Sequence, residues 1–527
     1  MHTFFSEEKL LKLLAVFVTI AICVTRISMA AGQVFQGLAL LTGIILFARK
    51  NGRVSLTPES KKYYLAALLF FAATMVSAIG AINPGTVVKE CFNMWIWRSI
   101  PFVLVAAFIY RRDYLVNMLI ALLCIHGIES FSAAAECIIL GGRGWGFGPV
   151  GTNPLALAGM MCLMLPAACI LVLDSRFEQK LKKAAGFCTA GIIGGLLGAQ
   201  SRGSWLVTVI SMPISVFPYV RKSLKYLAIV ISVFVLVAGF FIFKPKYIQK
   251  FTSVSNVTTN WSNTHRLWLW RSCVNMFKDH PVNGIGLGNF GDFYANHGYW
   301  LHDGKMEPYE AEKLRRERLE QRKKAQQKAK AAQKARSKVQ SDVKNLIPKT
   351  KPQAQTNVKE TPKAKVQAQI QKSQVQQNAK AKQQQKLKTQ PNVKAAQNTK
   401  PATVKKSAVK QNTVKAKPQL QRPKSFTAAS HAHNSYYQLL AETGVIGFGG
   451  LLLLVLYYLG NSLRNWIRGN NPYDLMFFAS FLSFFVLFAQ VEHIVDNSAA
   501  IRMMWFLLAV ILQLKATDGP DRDKKEV

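Results

Sequence analysis

Long apolar runs, too many for a soluble core, constrain this chain more than any other feature. A membrane-crossing helix needs roughly 20 mostly apolar residues, with a range of about 17–25. Twelve candidate stretches stand at about residues 10–25, 33–48, 63–82, 94–110, 114–140, 154–173, 184–199, 204–220, 224–243, 444–460, 474–491 and 499–515. Isolated strands would leave backbone groups unpaired in lipid, so the runs read as helices. Gly194-Gly195 and Pro213 inside them are tolerated better in membrane helices than in soluble ones. The first run lacks a strongly basic start, having Glu7, Glu8 and Lys9, and is expected to remain as a span rather than be cleaved as a signal. The expected fold is an all-α integral membrane protein of about twelve transmembrane helices with a large outer-face loop.

The charge sits in one place. The 527 residues carry a formal net charge of +40 although half of them are apolar. Between Lys305 and Lys424, 33 Lys+Arg face 7 Asp+Glu, a net of +26, which leaves +14 for the other 407 residues. One uniform globular domain is excluded, and nucleic acid is not an expected partner. From about Glu307 to Lys424 the chain has almost no aromatic residue after Tyr309 and is rich in Lys, Gln, Ala, Asn and Val. Such a segment cannot bury enough apolar surface to offset the entropy of ordering, and it reads as disordered. Its first part, Glu310–Lys338, has Glu and Lys/Arg at helical spacings. Two roles stand open for it: a solvated spacer, or electrostatic attachment to anionic envelope polymers.

Short basic loops set the orientation. Lys50–Lys62, Arg111-Arg112, Arg176–Lys183, Arg221–Lys225 and Arg464–Arg468 fall on every second connection. The positive-inside rule places them, and both termini, in the cytoplasm. Thr25–Gly32, Asn83–Asn93, Gly141–Asn153, Gln200–Gly203, Lys244–Thr443 and Glu492–Ser498 then lie outside. Long loops translocate largely regardless of charge, so the basic insertion is compatible with that side. The expected order is nine spans in 1–244, an outer-face helical loop in 245–304, the insertion in 305–424, a re-entry segment in 425–443, three spans in 444–516 and a cytoplasmic tail in 517–527.

Three polar patches share the outer face. The first, Gln200-Ser201-Arg202-Gly203-Ser204-Trp205, stands where a span begins; an arginine there is either snorkelling or functional. The second runs from His265-Arg266 through Phe277 to His280-Pro281. It reads as a helix starting near Ser262 or Thr264 and stopped before Pro281, with Arg266, Trp270, Cys273 and Phe277 on one face. Gly284-Ile285-Gly286-Leu287-Gly288 follows; its spacing does not fit a dinucleotide fingerprint and reads as a tight turn. The third is His431-Ala432-His433-Asn434, then Glu442-Thr443-Gly444. Arg143, in the Gly-rich loop Gly141–Asn153, is a further candidate.

Metal chemistry finds little local support. His431 and His433 are one residue apart, but no third ligand is evident in the sequence near them, and no metal site or cofactor is expected. The eight cysteines form no CxxC pair and read as packing residues. Glu492, His493 and Asp496 read as interface polarity, with a proton relay or acceptor contact as the alternative. Arg98, His126 and Glu129 fall within spans, where ionisable residues mark transport pathways, so a transporter of lipid-linked sugars stays open.

The set Ser201-Arg202-Gly203, Arg266 to Pro281 with Gly284-x-Gly286-x-x-x-Phe290, and His431-x-His433-Asn434 with Glu442-x-Gly444 resembles the O-antigen ligase family of cell-envelope glycosyltransferases. The resemblance is sharpest from about Gln200 to Gly450 and is interrupted by the basic insertion. It implies a membrane glycosyltransferase of the C type in a bacterial inner membrane, with its active site on the periplasmic side. It implies transfer of a preassembled polysaccharide from undecaprenyl diphosphate to lipid A-core or another glycan acceptor, without metal and with inversion. The wider superfamily includes O-antigen polymerases and protein-glycosylating ligases as alternatives. For such a donor, two arginines suit the diphosphate and a histidine suits the acceptor hydroxyl. Arg202, Arg266 and His433 are therefore expected to be catalytic, and Arg143, His431 and Asn434 to contact substrate or orient the site.

Overall fold

A computed structural model describes residues 6–54, 56–147, 153–243, 245–252, 261–302, 305–306, 319–320, 322, 324, 326–327, 331, 429–495 and 497–518. Almost all of the basic insertion lies outside the described residues, as do Asp496 and the end of the tail; the seven described residues between 319 and 331, within the stretch Glu310–Lys338, are helical. The chain divides into two compact units, Met1–Leu314 with Lys417–Val527, and Arg315–Ala416.

Among the described residues the first unit contains fifteen helices. They are α1 (Glu7–Val24), α2 (Met29–Arg49), α3 (Pro58–Met75), α4 (Pro84–Phe108), α5 (Arg112–Leu140), α6 (Pro154–Leu173), α7 (Gln179–Ala199) and α8 (Arg202–Val220). There follow α9 (Leu224–Phe243), α10 (Pro245–Thr252), α11 (Trp261–Asp279), α12 (Phe290–Asn296), α13 (Ser435–Gly469), α14 (Pro472–Val491) and α15 (Ser498–Thr517). Strands β1 (Leu301–His302) and β2 (Lys305–Met306) form a short antiparallel ladder.

Nine of the twelve apolar runs fall within a helix, and those at 10–25, 63–82 and 94–110 run past the ends of theirs, at Val24, Met75 and Phe108. Among the described residues, eight helices are long and apolar enough to cross a membrane: α2, α4, α5, α6, α8, α13, α14 and α15. Twelve is therefore not the number that meets this criterion. Charges dilute three of the other four: Glu7, Glu8, Lys9 and Lys12 in α1, Glu59, Lys61 and Lys62 in α3, and Lys180, Lys182 and Lys183 in α7; the fourth, α9, is apolar but short, over Leu224–Phe240.

Local chemistry fixes the helix ends. Ser28, Thr57, Asn153, Ser201, Asn434, Asn471 and Asn497 each cap a following helix by accepting a first-turn N–H. Proline occupies the first turn of α3, α4, α6 and α14, where its missing N–H costs nothing. Two helices carry a π-helical stretch, Phe92–Trp97 in α4 and Leu482–Phe488 in α14. Such widened turns often accompany functional sites, and the second directly precedes Gln490–Glu492.

The bundle has two chemically different ends. At one, Lys50 pairs with Glu7, Arg111 with Glu8, and Lys515 with Glu59 and Asp474 at 2.8 and 2.7 Å. Arg112 there binds Asp518. At the other end lie the connections 141–147, 200–201 and 492–497. Helix α15 joins the two ends through the core, every residue from Ala499 to Leu514 being buried. A helix without a polar face belongs in such a position. Helices α5 and α7 approach closely through small residues; a Cβ on Gly198 would stand 2.5 Å from the Ala133 carbonyl oxygen.

Candidate active site

The site is assembled by a backbone lock between two distant segments. After α11 the chain turns through Pro281–Asn289 and pairs with α13. Ile285 N–H donates to Ala441 O at 3.0 Å, Gly286 N–H to Glu442 O at 2.8 Å, and Val445 N–H to Pro281 O at 2.8 Å. Gly284 (φ 71°) and Gly444 (φ 60°) sit at the crossing, and a Cβ on either would collide with the opposing backbone. Helix α13 kinks at Gly444. The buried Glu442 carboxylate accepts from Phe290 N–H (3.1 Å) and Gln438 Nε2 (3.2 Å), and Gln438 Oε1 accepts from Ala432 N–H (2.9 Å). The glycine turn read from the sequence thus holds the histidine segment in place.

Aromatic packing completes the clamp. Trp270 of α11 stacks on Tyr437 of α13 with centroids 5.3 Å apart and donates to Ala432 O at 3.1 Å. This orients one face of α11 toward the bundle and places Arg266 against the end of α14.

The polar centre is Glu492. Its Oε1 lies 2.8 Å from His433 Nδ1, and its Oε2 lies 3.2 Å from Arg266 Nη2. Arg266 Nη1 also donates to Val491 O. His431 sits edge-on to His433 with centroids 4.3 Å apart, stacks on His493 at 5.7 Å, and His265 lies 6.3 Å from His433. His433 itself has φ 53°, a left-handed conformation uncommon for a side-chain-bearing residue. Such backbone strain costs on the order of 1–3 kcal/mol and concentrates at functional sites.

Electrostatics hold Glu492 ionised. Burial pushes its carboxyl up, but the His433 hydrogen bond and charge, with further attraction from Arg266 and His431, outweigh this and bring it down to about 2. An ionised carboxylate only accepts, so His433 Nδ1 carries the proton on that side. In the neutral imidazole the lone pair is then on Nε2, the arrangement a general base requires.

Arg202 opens α8 under the Ser201 cap, after Gln200 in a left-handed turn (φ 49°). Its guanidinium lies within electrostatic range of Arg266 and Arg143. Arg143 is exposed on a loop that is firmly tied. Gln200 Nε2 donates to Gly142 O (3.0 Å), Gly144 N–H to Gly198 O (2.9 Å), and Glu136 Oε2 accepts from Trp145 N–H (2.6 Å) and Gly146 N–H (3.2 Å).

Of the residues singled out in the sequence, His431, His433 and Arg266 meet at Glu492, and Arg202 and Arg143 stand in their field. Asn434 faces inward: Oδ1 accepts from Tyr436 and Tyr437 N–H at 2.9 and 3.1 Å, and Nδ2 donates to Gln490 O at 2.8 Å. It thereby fixes the turn carrying His433. Glu492, read from the sequence as interface polarity, instead stands at the centre. Its only signal was a carboxylate directly after an apolar span, next to a histidine.

The fold also supplies the third donor that the local sequence lacks for a metal. One ligand atom each from His431, His433 and Glu492 lie within 4.8 Å of one another, a spacing that could accommodate a cation. Arg266 occupies one Glu492 oxygen, however, and the other guanidiniums add positive charge. This field suits an anion better.

Arg26, Arg98 and Glu129, charges within the bundle, are engaged internally. Glu129 is held by Arg26 (Nε to Oε1, 2.7 Å) and faces His126 Nδ1 at 3.3 Å. Arg98 donates to Val495 O.

Residues 187–311 match the family model described as O-antigen ligase, a stretch that includes Arg202, Arg266 and the Gly284–Phe290 turn but ends before His433 and Glu492. No curated protein matches the chain. The match brings with it a glycosyltransferase-like ligase or polymerase activity in general, lipid-linked glycan substrates and a bacterial membrane. Residues 187–311 are thus similar to an O-antigen ligase domain.

Proposed function

We propose that the protein transfers a preassembled polysaccharide from undecaprenyl diphosphate to a hydroxyl of a lipid A-core acceptor, at the periplasmic side of the inner membrane. The observation that carries this reading is the contact of His433 Nδ1 with Glu492 Oε1, whose other oxygen meets Arg266. A base with a fixed tautomer and a cluster of guanidiniums on one carboxylate-anchored site is what glycosyl transfer from a diphosphate needs.

In this reading Glu492 holds His433 so that Nε2 accepts the proton of the acceptor hydroxyl. The hydroxyl oxygen bonds to the anomeric carbon as the carbon–oxygen bond to the diphosphate breaks. The electron pair leaves with the lipid diphosphate, and the anomeric centre inverts. Arg202, Arg266 and Arg143 meet the leaving charge. One guanidinium about 4 Å from one phosphate charge contributes about 4 kcal/mol at an effective dielectric of 20, before desolvation. Stabilisation of charge that builds in the transition state is commonly the largest catalytic term, and base assistance adds about 10²–10⁴ in rate. His431 and Asn434 orient the site. Twelve spans with both termini cytoplasmic and a C-type bundle belong to the same proposal, and the positive-inside pattern of the short loops supports them.

Reconstitution with a purified lipid-linked glycan and separate acceptors tests it. Sugar appearing on lipid A-core supports the ligase. Sugar appearing instead on a second glycan-lipid or on protein reassigns the enzyme as a polymerase or a protein glycosyltransferase. Uphill movement of the donor without new bonds makes it a transporter.

A further inference from the structure

Arg502 takes no part in the chemistry above, yet it is the most unusual cation in the bundle. It is 1% exposed in the core helix α15, and both Nε and Nη1 are buried without an acceptor among the described residues. An arginine in a protein keeps its proton, so the charge stays. A buried guanidinium without a counter-charge is strongly unfavourable, and ionisable groups inside membrane bundles ordinarily serve a ligand or a partner. Two described carboxylates at its end of the bundle are engaged elsewhere: Glu129 by Arg26 and His126, Glu492 by His433 and Arg266.

Its surroundings favour an anion. Arg502 lies in the second turn of α15, and helical side chains lean toward the N-terminus, which brings its head toward the Ser498 end. That end carries the positive pole of a 20-residue helix. Trp505, three residues on and on the same face, buries an indole Nε1–H that also has no acceptor. Arg98, 5% exposed, reaches Val495 O just before the helix begins and adds a second cation at this end. A guanidinium and an indole N–H without acceptors thus stand about one helical turn apart near the N-terminus of α15. Such donors suit an oxyanion such as a phosphoryl group.

We propose that Arg502 and Trp505, at the N-terminal end of α15, form a phosphoryl-binding site separate from the Arg202–Arg266 pair. The ligand is a phosphate or diphosphate group, either free or as the head of an anionic lipid. The site stands on α15 and does not depend on the transfer reading: binding here could persist if that reading failed.

The test uses the full-length chain in which Arg202→Ala and Arg266→Ala silence the other arginines. Binding is measured with radiolabelled inorganic pyrophosphate, and separately by flotation with phosphatidylcholine vesicles containing phosphatidate, against phosphatidylcholine alone. The expected result is residual saturable binding of one probe that falls about tenfold or more when Arg502→Met is added. Trp505→Phe, which keeps the ring and removes the donor, should weaken it as well and serves if Arg502→Met does not fold. Binding of pyrophosphate identifies a free phosphoryl ligand, and binding of phosphatidate vesicles alone identifies a lipid head; either supports the site. No residual binding of either probe, or binding unchanged by the Arg502 and Trp505 substitutions, overturns it.

Discussion

His433 and Glu492 stand 59 residues apart in the chain and 2.8 Å apart in the fold, with Arg266 closing the second carboxylate oxygen at 3.2 Å. Three helical segments, α11, α13 and α14, deliver one group each. The relationship turns an ordinary interfacial histidine into one with an assigned tautomer and an ionised neighbour.

Glu492→Gln keeps the shape and removes the charge. The amide no longer favours a proton on Nδ1, so the base loses its orientation. Transfer turnover should fall by about 10²–10⁴ with KM for the donor little changed. Steady-state kinetics in reconstituted vesicles read this, and a change confined to KM would assign Glu492 to substrate binding instead.

Acid should weaken the site in a defined window. The Glu492 carboxyl is lowered to about 2 in the fold, so its contribution to stability is fully present above its ordinary value and is lost as pH falls from there toward 2. The upper bound is about 3 kcal/mol, at about 1.4 kcal/mol per unit. Wild type should therefore exceed Glu492→Gln in stability at neutral pH, and the gap should close between about pH 4 and pH 2. Parallel acid denaturation curves with a constant gap would contradict the pairing.

Arg202→Ala and Arg266→Ala should each abolish detectable transfer while the protein still inserts and melts as a folded species. The substitutions differ in one respect. Arg266→Ala also removes a partner of Glu492, so it alone should raise the pH at which the acid transition begins. Wild-type transfer by either variant would remove that arginine from the mechanism.

The glycine lock makes a stability prediction. Gly444 has φ 60° and ψ −162°, a region essentially closed to other residues, and its Cβ would strike the Val282 carbonyl. Gly444→Ala should cost at least about 1–3 kcal/mol, seen as a lower melting temperature, together with reduced transfer as the His433 turn loses its support. An unchanged melting temperature would show that the two segments are not locked.

The helices were legible because membrane burial demands long apolar runs, and each run coincides with most of a helix. The count of spans was less legible, since Lys180, Lys182 and Lys183 dilute α7 without preventing it from packing on α5. Arg202, Arg266 and His433 stood out as polar residues where apolar segments begin or end. Glu492 did not, because no spacing rule links a carboxylate after α14 to a histidine before α13; only the folded α13–α14 pair brings them together. The pairing of Gly284 with Gly444 was hidden for the same reason, although the Gly284-x-Gly286-x-Gly288 run alone signalled a turn.

The most direct measurement is single-turnover transfer from a purified undecaprenyl-diphosphate-linked glycan to lipid A-core in proteoliposomes, comparing wild type with His433→Ala. The account predicts glycosylated lipid A-core with wild type and loss of about 10²–10⁴ in rate with the variant, at equal donor binding. Transfer by His433→Ala at the wild-type rate, or no glycosylated acceptor with wild type, would contradict it.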